Sequence, residues 1–154
     1  MLIGKRTVQQ VAALPFVIVD GKIEIMLITS RARRRLIVPK GWPEKQMSGA
    51  AAAHREARDE AGVDGPIADD PIGFFKYEKQ MSGGYSVPCN VAVYPMLVRY
   101  QALKWPESKE RKVAWYPIED AARSVDDSDL GKLMVRVANQ GVSKLMQFAD
   151  GSEA

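Results

Sequence analysis

A chain of 154 residues suits one domain with a core of its own, and its 46% hydrophobic and 27% charged residues match a soluble globular protein. The net charge of +3 is too small to argue for nucleic acid as a partner and suits a local basic patch beside an anionic small molecule. The only cysteine, Cys89, excludes an intrachain disulfide and fits a reducing compartment; the longest apolar stretch, Val11 to Val19, holds Pro15 and is too short to span a bilayer, so a cytoplasmic protein with no membrane contact is expected.

Residues before Gln9 and the tail Gly151 to Ala154 read as loosely held, leaving a core of about 9–140. Val11 to Val19 reads as a strand, Asp20-Gly21 as a hairpin turn, and Lys22 to Thr29 as the partner strand, with Ile23, Ile25 and Leu27 alternating. A basic loop, Arg31 to Arg35, leads into the apolar segment Leu36-Ile37-Val38. Pro39 to Gln46 forms a second loop, and Ser48 caps a helix that runs to Ala61 through alanines small enough to pack closely on a sheet. Ile72 to Lys79 and Ser86 to Tyr100 form a second strand pair across Ser82-Gly83-Gly84. The latter strand is apolar on both faces: Val91, Val93 and Leu97 on one, Ala92, Tyr94 and Met96 on the other. A sheet covered on both sides is implied. Lys112 to Tyr116 is a short strand, Ile118 to Arg123 a helix opened by Pro117, and Asp126 to Asn139 a final amphipathic helix through Leu130, Leu133, Met134 and Val137. The expected architecture is an α/β/α sandwich around a mixed sheet.

The chemistry concentrates on the alanine-rich helix. Glu56, Asp59 and Glu60 stand at i, i+3 and i+4 on one face, in the last turns before Gly62, which reads as a C-terminal helix glycine. Acids there oppose the helix dipole and repel one another by roughly 0.2–0.5 kcal/mol per pair, so something must offset them. A bound divalent cation is the natural candidate, because carboxylates are the hard oxygen ligands it prefers.

The segment resembles the Nudix box, G-x5-E-x7-R-E-U-x-E-E-x-G-U with U aliphatic. Gly41 opens it, Arg55-Glu56 supplies the R-E pair, Asp59-Glu60 replaces E-E, and Gly62-Val63 closes it, while Met47 stands where the first glutamate belongs. The resemblance covers about residues 9 to 140 and implies hydrolysis of a diphosphate linkage with magnesium or manganese. It implies Glu56 and Glu60 as principal metal ligands, Asp59 assisting, the Gly41 carbonyl completing the site, and Glu56 as a candidate base. Arg55 in this family fixes the catalytic carboxylates, and here it can reach Asp59 at i+4. Met47 cannot replace an anionic ligand for a hard cation, and Glu44 is the nearest substitute. His54, the sole histidine, reads as solvated on the helix, and the three tryptophans as anchors.

Arg31, Arg34 and Arg35, with Lys40, are the candidate phosphate-binding residues, since a guanidinium matches a phosphate edge. Ser30-Arg31, Arg35 to Pro39 with Gly41, and later Trp105, Arg111-Lys112, Trp115-Tyr116 and Ile118 to Ala121 resemble the diphosphoinositol polyphosphate phosphohydrolase branch, whose members also cleave diadenosine polyphosphates. Lys40 replaces a glycine of that branch, and basic residues near Gln9 and Val11 are absent; these departures weigh on inositol-phosphate recognition more than on polyphosphate recognition. Two classes stay open: a pyrophosphohydrolase of a polyphosphorylated small molecule, and a non-catalytic Nudix-fold module for a nucleotide or RNA end, with ADP-ribose hydrolysis a weaker enzyme alternative. The sequence leaves the oligomeric state undetermined, with a homodimer allowed.

Overall fold

The computed structural model describes residues 6–150, so the readings made for the first five residues and for the tail Gly151 to Ala154 lie outside the described residues. Strands β1 (Val8–Val19), β2 (Lys22–Thr29), β3 (Leu36–Ile37) and β4 (Lys40–Gly41) come first, followed by helix α1 (Gly49–Glu56) and a π-helical turn (Ala57–Ala61). Then follow β5 (Val63–Asp64), β6 (Gly73–Gln80), β7 (Ser86–Leu97), β8 (Tyr100–Gln101) and β9 (Val113–Pro117), and last α2 (Ile118–Ser124), α3 (Ser128–Gln140) and α4 (Val142–Asp150).

Seven strands form one mixed sheet in the order β3-β2-β1-β7-β6, with β4 also pairing β1 and β9 pairing β2. Only β1 and β7 run parallel, through the pairs from Val8–Cys89 to Phe16–Leu97; the other pairings in this sheet are antiparallel. Pro15 is tolerated in a central strand because it falls between two partners. On that edge β1 pairs with β4 at Val11 and Ala12, and with β2 only from Phe16 onward. Strands β5 and β8 make a small separate sheet.

The two apolar faces of β7 are covered as the alternation demands. Val91 and Val93 join Phe16, Ile25, Leu27, Ile118, Leu130 and Met134 in one buried layer. Tyr94 and Met96 join Val11, Ala13, Met26 and the alanines Ala50, Ala52, Ala53, Ala57 and Ala61 in the other. Alanine on the buried side of α1 brings its backbone close to the sheet, and Ser48 caps the helix by accepting from the Ala51 N–H at 3.0 Å. The result is a mixed sheet between helices, an α/β/α sandwich.

One helix was not foreseen. Val142–Asp150 forms α4 after Gly141, whose φ of +94° breaks the chain away from α3. Its Leu145 and Ala149 are buried in the same layer as Val91 and Met134. α4 therefore belongs to the core, which extends past residue 140. Leu145→Ala should cost about 2–5 kcal/mol, the range for truncating a buried leucine. Urea unfolding measures this, and a loss of only a few tenths would mean that α4 is not packed on the sheet.

Candidate active site

Backbone chemistry places the site. Ala13 N–H donates to the Pro39 carbonyl at 3.0 Å, and Lys40–Gly41 pairs with Ala12 and Val11, so the loop after β3 is stitched to the central strand. That stitching lays Gly41 against the end of α1. A Cβ on Gly41 would stand 2.5 Å from the Glu56 carboxyl carbon, so only glycine leaves room for this acid to lie on the backbone.

At the helix end, hydrogen bonding widens to the π pattern. The Gly62 N–H reaches both the Ala57 and Arg58 carbonyls, and Gly62 then leaves the helix at φ +69°, as its C-terminal position predicts. The wider turn matters for the acids. In an α-helix each residue advances about 100°, which would keep Glu56, Asp59 and Glu60 on one face. Spread over more residues per turn, the chain brings Glu60 round beside Glu56 and leaves Asp59 behind. Glu56 and Glu60 line a cleft of about 550 Å³. Asp59 instead lines a separate pocket of about 240 Å³ with Arg58, Asp64 and Trp105. The expected trio is thus a pair, and no group of three or more His, Cys, Asp or Glu side chains suited to a metal occurs among the described residues.

Glu60 is only 6% exposed. One carboxylate oxygen accepts the Lys40 N–H at 3.2 Å, and Arg111 Nη2 lies 3.6 Å from it. These partners do not compensate fully. Burial, followed by the hydrogen bond with Glu56, pushes Glu60 up to about 8 from its ordinary 4.5, against the pull of Arg111. Arg111 was not foreseen as a site residue. Its side chain is 7% exposed and fully engaged: Nε donates to Glu107 at 2.8 Å and Nη1 to the Thr29 carbonyl at 3.0 Å. Lys40 lies half-buried on the same wall with Nζ 5.0 Å from the Tyr77 ring centre, and burial lowers its pKa despite Glu60 and Asp127.

The remaining candidates divide. Arg55 does not grip Asp59; it donates to Glu44 at 2.5 Å and stands 3.9 Å from Glu56. That hydrogen bond holds the Glu44 carboxyl below its ordinary value. Met47 is 36% exposed at the far end of the loop. Of the arginines in the basic loop, only Arg31 lines the cleft, 4.0 Å from Glu107. Arg34 takes a left-handed φ of +54° in the turn closed by Ser30, and Arg35 turns to Asp126 at 3.6 Å. Neither lines the cleft. Lys79 does, and its ammonium faces the ring of Trp42 at 5.4 Å. Trp42 is 46% exposed rather than buried as an anchor. His54 is not free in solvent: its Nε2 lies 2.7 Å from Asp64.

With this geometry the comparisons with known proteins are decisive. The NUDIX domain model matches residues 8–136. The chain belongs to the Nudix family. Nudix hydrolase 16, mitochondrial, of Arabidopsis thaliana is 34% identical over 109 residues, covering 68% of this chain and 60% of that protein. Nudix hydrolase 13, mitochondrial, of the same plant is 30% identical over 111 residues, covering 66% and 53%. The chain therefore spans little more than half the length of these curated relatives. A C. elegans Ap4A hydrolase in a binary complex superposes with a TM-score of 0.65 at 20% identity, over 86% of this chain and 96% of that one. The NUDIX domain of Shewanella oneidensis NrtR, complexed with ADP ribose, gives 0.65 at 17% identity, over 89% and 90%. These structural likenesses establish the fold. Nudix hydrolases act on pyrophosphate bonds and generally need divalent cations.

The donor set here fits such a cation. Two carboxylates adjoin, Glu56 lying on the Gly41 backbone and Glu60 on the Lys40 N–H, and Glu60 otherwise holds a proton near neutrality. Magnesium is commonly held by one or two carboxylates, with waters and substrate phosphates making up the rest.

The raised value of Glu60 has a stability consequence in metal-free protein. Between 4.5 and about 8 the folded state holds a proton that the unfolded state has lost, so stability falls as pH rises through that window. Thermal scans in chelator should give a lower Tm at about pH 8 than at about pH 5, and Glu60→Gln should flatten the difference. Added Mg2+ should raise the wild-type Tm most at the alkaline end. An identical pH slope in the variant would mean that Glu60 is not the group responsible.

Proposed function

We propose that this chain is a metal-dependent pyrophosphohydrolase that cleaves a diphosphate linkage in a polyphosphorylated small molecule, such as a diadenosine polyphosphate or a diphosphoinositol polyphosphate. The observation that carries the reading is the Glu56–Glu60 pair at the floor of a cleft whose walls present Lys40, Lys79, Arg111 and Arg31. Acids on one side and cations around them suit a charged chain whose reacting centre is held by metal and whose flanking phosphates meet side chains.

In this reading Glu56 and Glu60 hold Mg2+ or Mn2+ with the Gly41 carbonyl, and Asp59 has no direct part. The cation supplies neutralisation of phosphate charge and a bound water of lowered pKa. The chain's own groups do the rest. Glu56, beside the cleft space, is the carboxylate available to take a proton from an attacking water. Arg111 keeps Glu60 oriented from within the wall, being committed to Glu107 and Thr29. Lys40 and Lys79 bind non-bridging phosphate oxygens, and the partial burial of Lys40 strengthens its contact by excluding water. Arg55 holds Glu44 and so fixes the loop between Gly41 and α1.

Met47 favours the second reading, a Nudix-fold module that binds a nucleotide or RNA end without turning it over. The described residues offer two clustered carboxylates, where the family box has more. A substrate panel with Mg2+ and Mn2+, resolved by product mass, separates the two. In the enzyme, Glu56→Gln should lower kcat by about 10²-fold or more, and Met47→Glu should raise turnover or tighten metal binding. No hydrolysis by the wild type or by Met47→Glu would leave the binding module standing.

Chain-length preference should follow the cleft wall. Lys79→Ala and Arg31→Ala should raise KM for a tetra- or pentaphosphate substrate more than for a simple nucleoside diphosphate derivative. An ordered charged contact is worth roughly 1.5–3 kcal/mol and an exposed one far less, so Arg31 should matter less than Lys79. Both penalties should shrink at high salt. Alanine at Arg34 and Arg35 is the counter-test, since an equal penalty there would return the whole basic loop to the site.

A further inference from the structure

The last four carbonyls of a helix have no partner within it, and a helix end under a catalytic acid cannot be left to fray. Here the partners come from a loop forty or more residues later in the chain. The Glu107 N–H donates to the Asp59 carbonyl at 3.1 Å, the Trp105 indole N–H to the Glu60 carbonyl at 3.0 Å, and the Ala102 N–H to the Gly62 carbonyl at 2.8 Å. The Trp105 ring also lies on Gly62 so closely that a Cβ there would be 2.6 Å from it. The loop then returns to the other end of the same residue. Glu107 accepts from Arg111 Nε at 2.8 Å, and Arg111 Nη2 lies 3.6 Å from the Glu60 carboxylate. Glu60 is thus held at its carbonyl by Trp105, and at its carboxylate by the Lys40 N–H together with Arg111, so residues 105–111 act on both ends of it.

We propose that Trp105 is a positioning residue, whose indole N–H fixes the π-helical turn so that Glu60 points beside Glu56 into the cleft. The role follows from the conformation it opposes. The Gly62 N–H is shared between Ala57 and Arg58, so the turn stands between π and α patterns. In the α pattern the carbonyls of Asp59 and Glu60 turn away from these donors, Asp59 swings back toward the Glu56 face, and Glu60 stays on that face but leaves the position it holds here. The indole bond to the Glu60 carbonyl, with the Glu107 bond to its neighbour, selects the wide turn. Asp59 has no metal-binding role in this arrangement because the same bonds that aim Glu60 inward turn Asp59 into the neighbouring pocket.

The inference rests on the proposed metal role of Glu60, and Trp105→Phe tests it in the full chain. Phenylalanine keeps a ring on Gly62 and removes only the N–H donor. Amide hydrogen exchange in metal-free protein is the first readout: residues 57–62 should exchange about tenfold faster in the variant, with β1 and β7 unchanged. Unaltered exchange in that turn overturns the proposal whatever the protein's activity. The second readout is Mn2+ affinity, expected to fall about tenfold, as for other residues that orient a ligand. kcat should fall in step while KM for the polyphosphate stays within about twofold. Faster exchange with unchanged Mn2+ affinity and kcat would make Trp105 a structural cap only and would also overturn the proposal. A wild type that binds no Mn2+ counts against the metal reading, and the exchange measurement still decides the role of Trp105 in the turn. Trp105→Leu, which loses ring and donor together, should exceed the phenylalanine variant in lowering Tm but match it in kcat. A much lower kcat in the leucine variant would assign the effect to ring packing.

Discussion

Everything in the site depends on one buried carboxylate. Glu60 is withdrawn from water beside a second acid, and the cation nearest to it, Arg111, is 3.6 Å away and shared with Glu107 and Thr29. Removing a charge from water costs several kcal/mol, and a loosely held partner returns only part of that. An ordinary structural helix would place an alanine there, as this one does at Ala53, Ala57 and Ala61. The unfavourable arrangement persists because the surrounding elements over-determine it. The loop after β3 is pinned to β1, the Lys40 N–H points at the carboxylate, and the segment before β9 caps the turn from outside. Strain of this kind, kept by packing on every side, is characteristic of functional sites.

The division of labour between the sheet's two faces follows from the same point. The layer carrying α2, α3 and α4 holds the large side chains, Phe16, Phe75, Leu130 and Met134 among them, and supplies most of the apolar burial. In the layer under α1 the helix side is alanine, and the bulk comes from the sheet through Met26, Ile28, Tyr94 and Met96. Close backbone approach there brings Gly41 to Glu56, at the expense of the bulk that would otherwise stabilise that face. The fold thus derives stability on one side of the sheet and geometry on the other.

What could be read from the sequence was what local periodicity controls. Ser48 as a cap, Gly62 as a left-handed stop, the opposed faces of β7 and the cover on both sides of the sheet all follow from spacings of two or three to four residues. α4 carried the same signal, with Val142, Leu145, Met146 and Ala149 at helical spacing, and Gly141 before it obscured the restart. The burial of Arg111 was not readable, because a lone arginine in a polar segment is buried only when a strand 82 residues earlier presents a carbonyl to it. The same holds for Arg35, whose direction is set by Asp126 far along the chain. The π pattern escaped for a related reason. Its register is decided by Trp105 and Glu107, and a helical wheel drawn on residues 49–61 alone has to place Asp59 with Glu56.

The loop between Gly41 and α1 shows how a missing ligand alters the balance around it. Arg55 has a single guanidinium fork, and it is spent on Glu44 at 2.5 Å, leaving Glu56 at 3.9 Å. Met47 stands where the family box has a glutamate; it lies outside the cleft and adds no charge to the pair. The metal-free protein relieves the crowding of the two acids by a proton held on Glu60 beside Glu56. Under the proposed function Glu60 would give up that proton to hold a cation with Glu56, and two carboxylates would leave much of the cation's shell to substrate phosphates. Affinity for metal and affinity for substrate would then be two sides of one coupling, each raised by the other to the same degree.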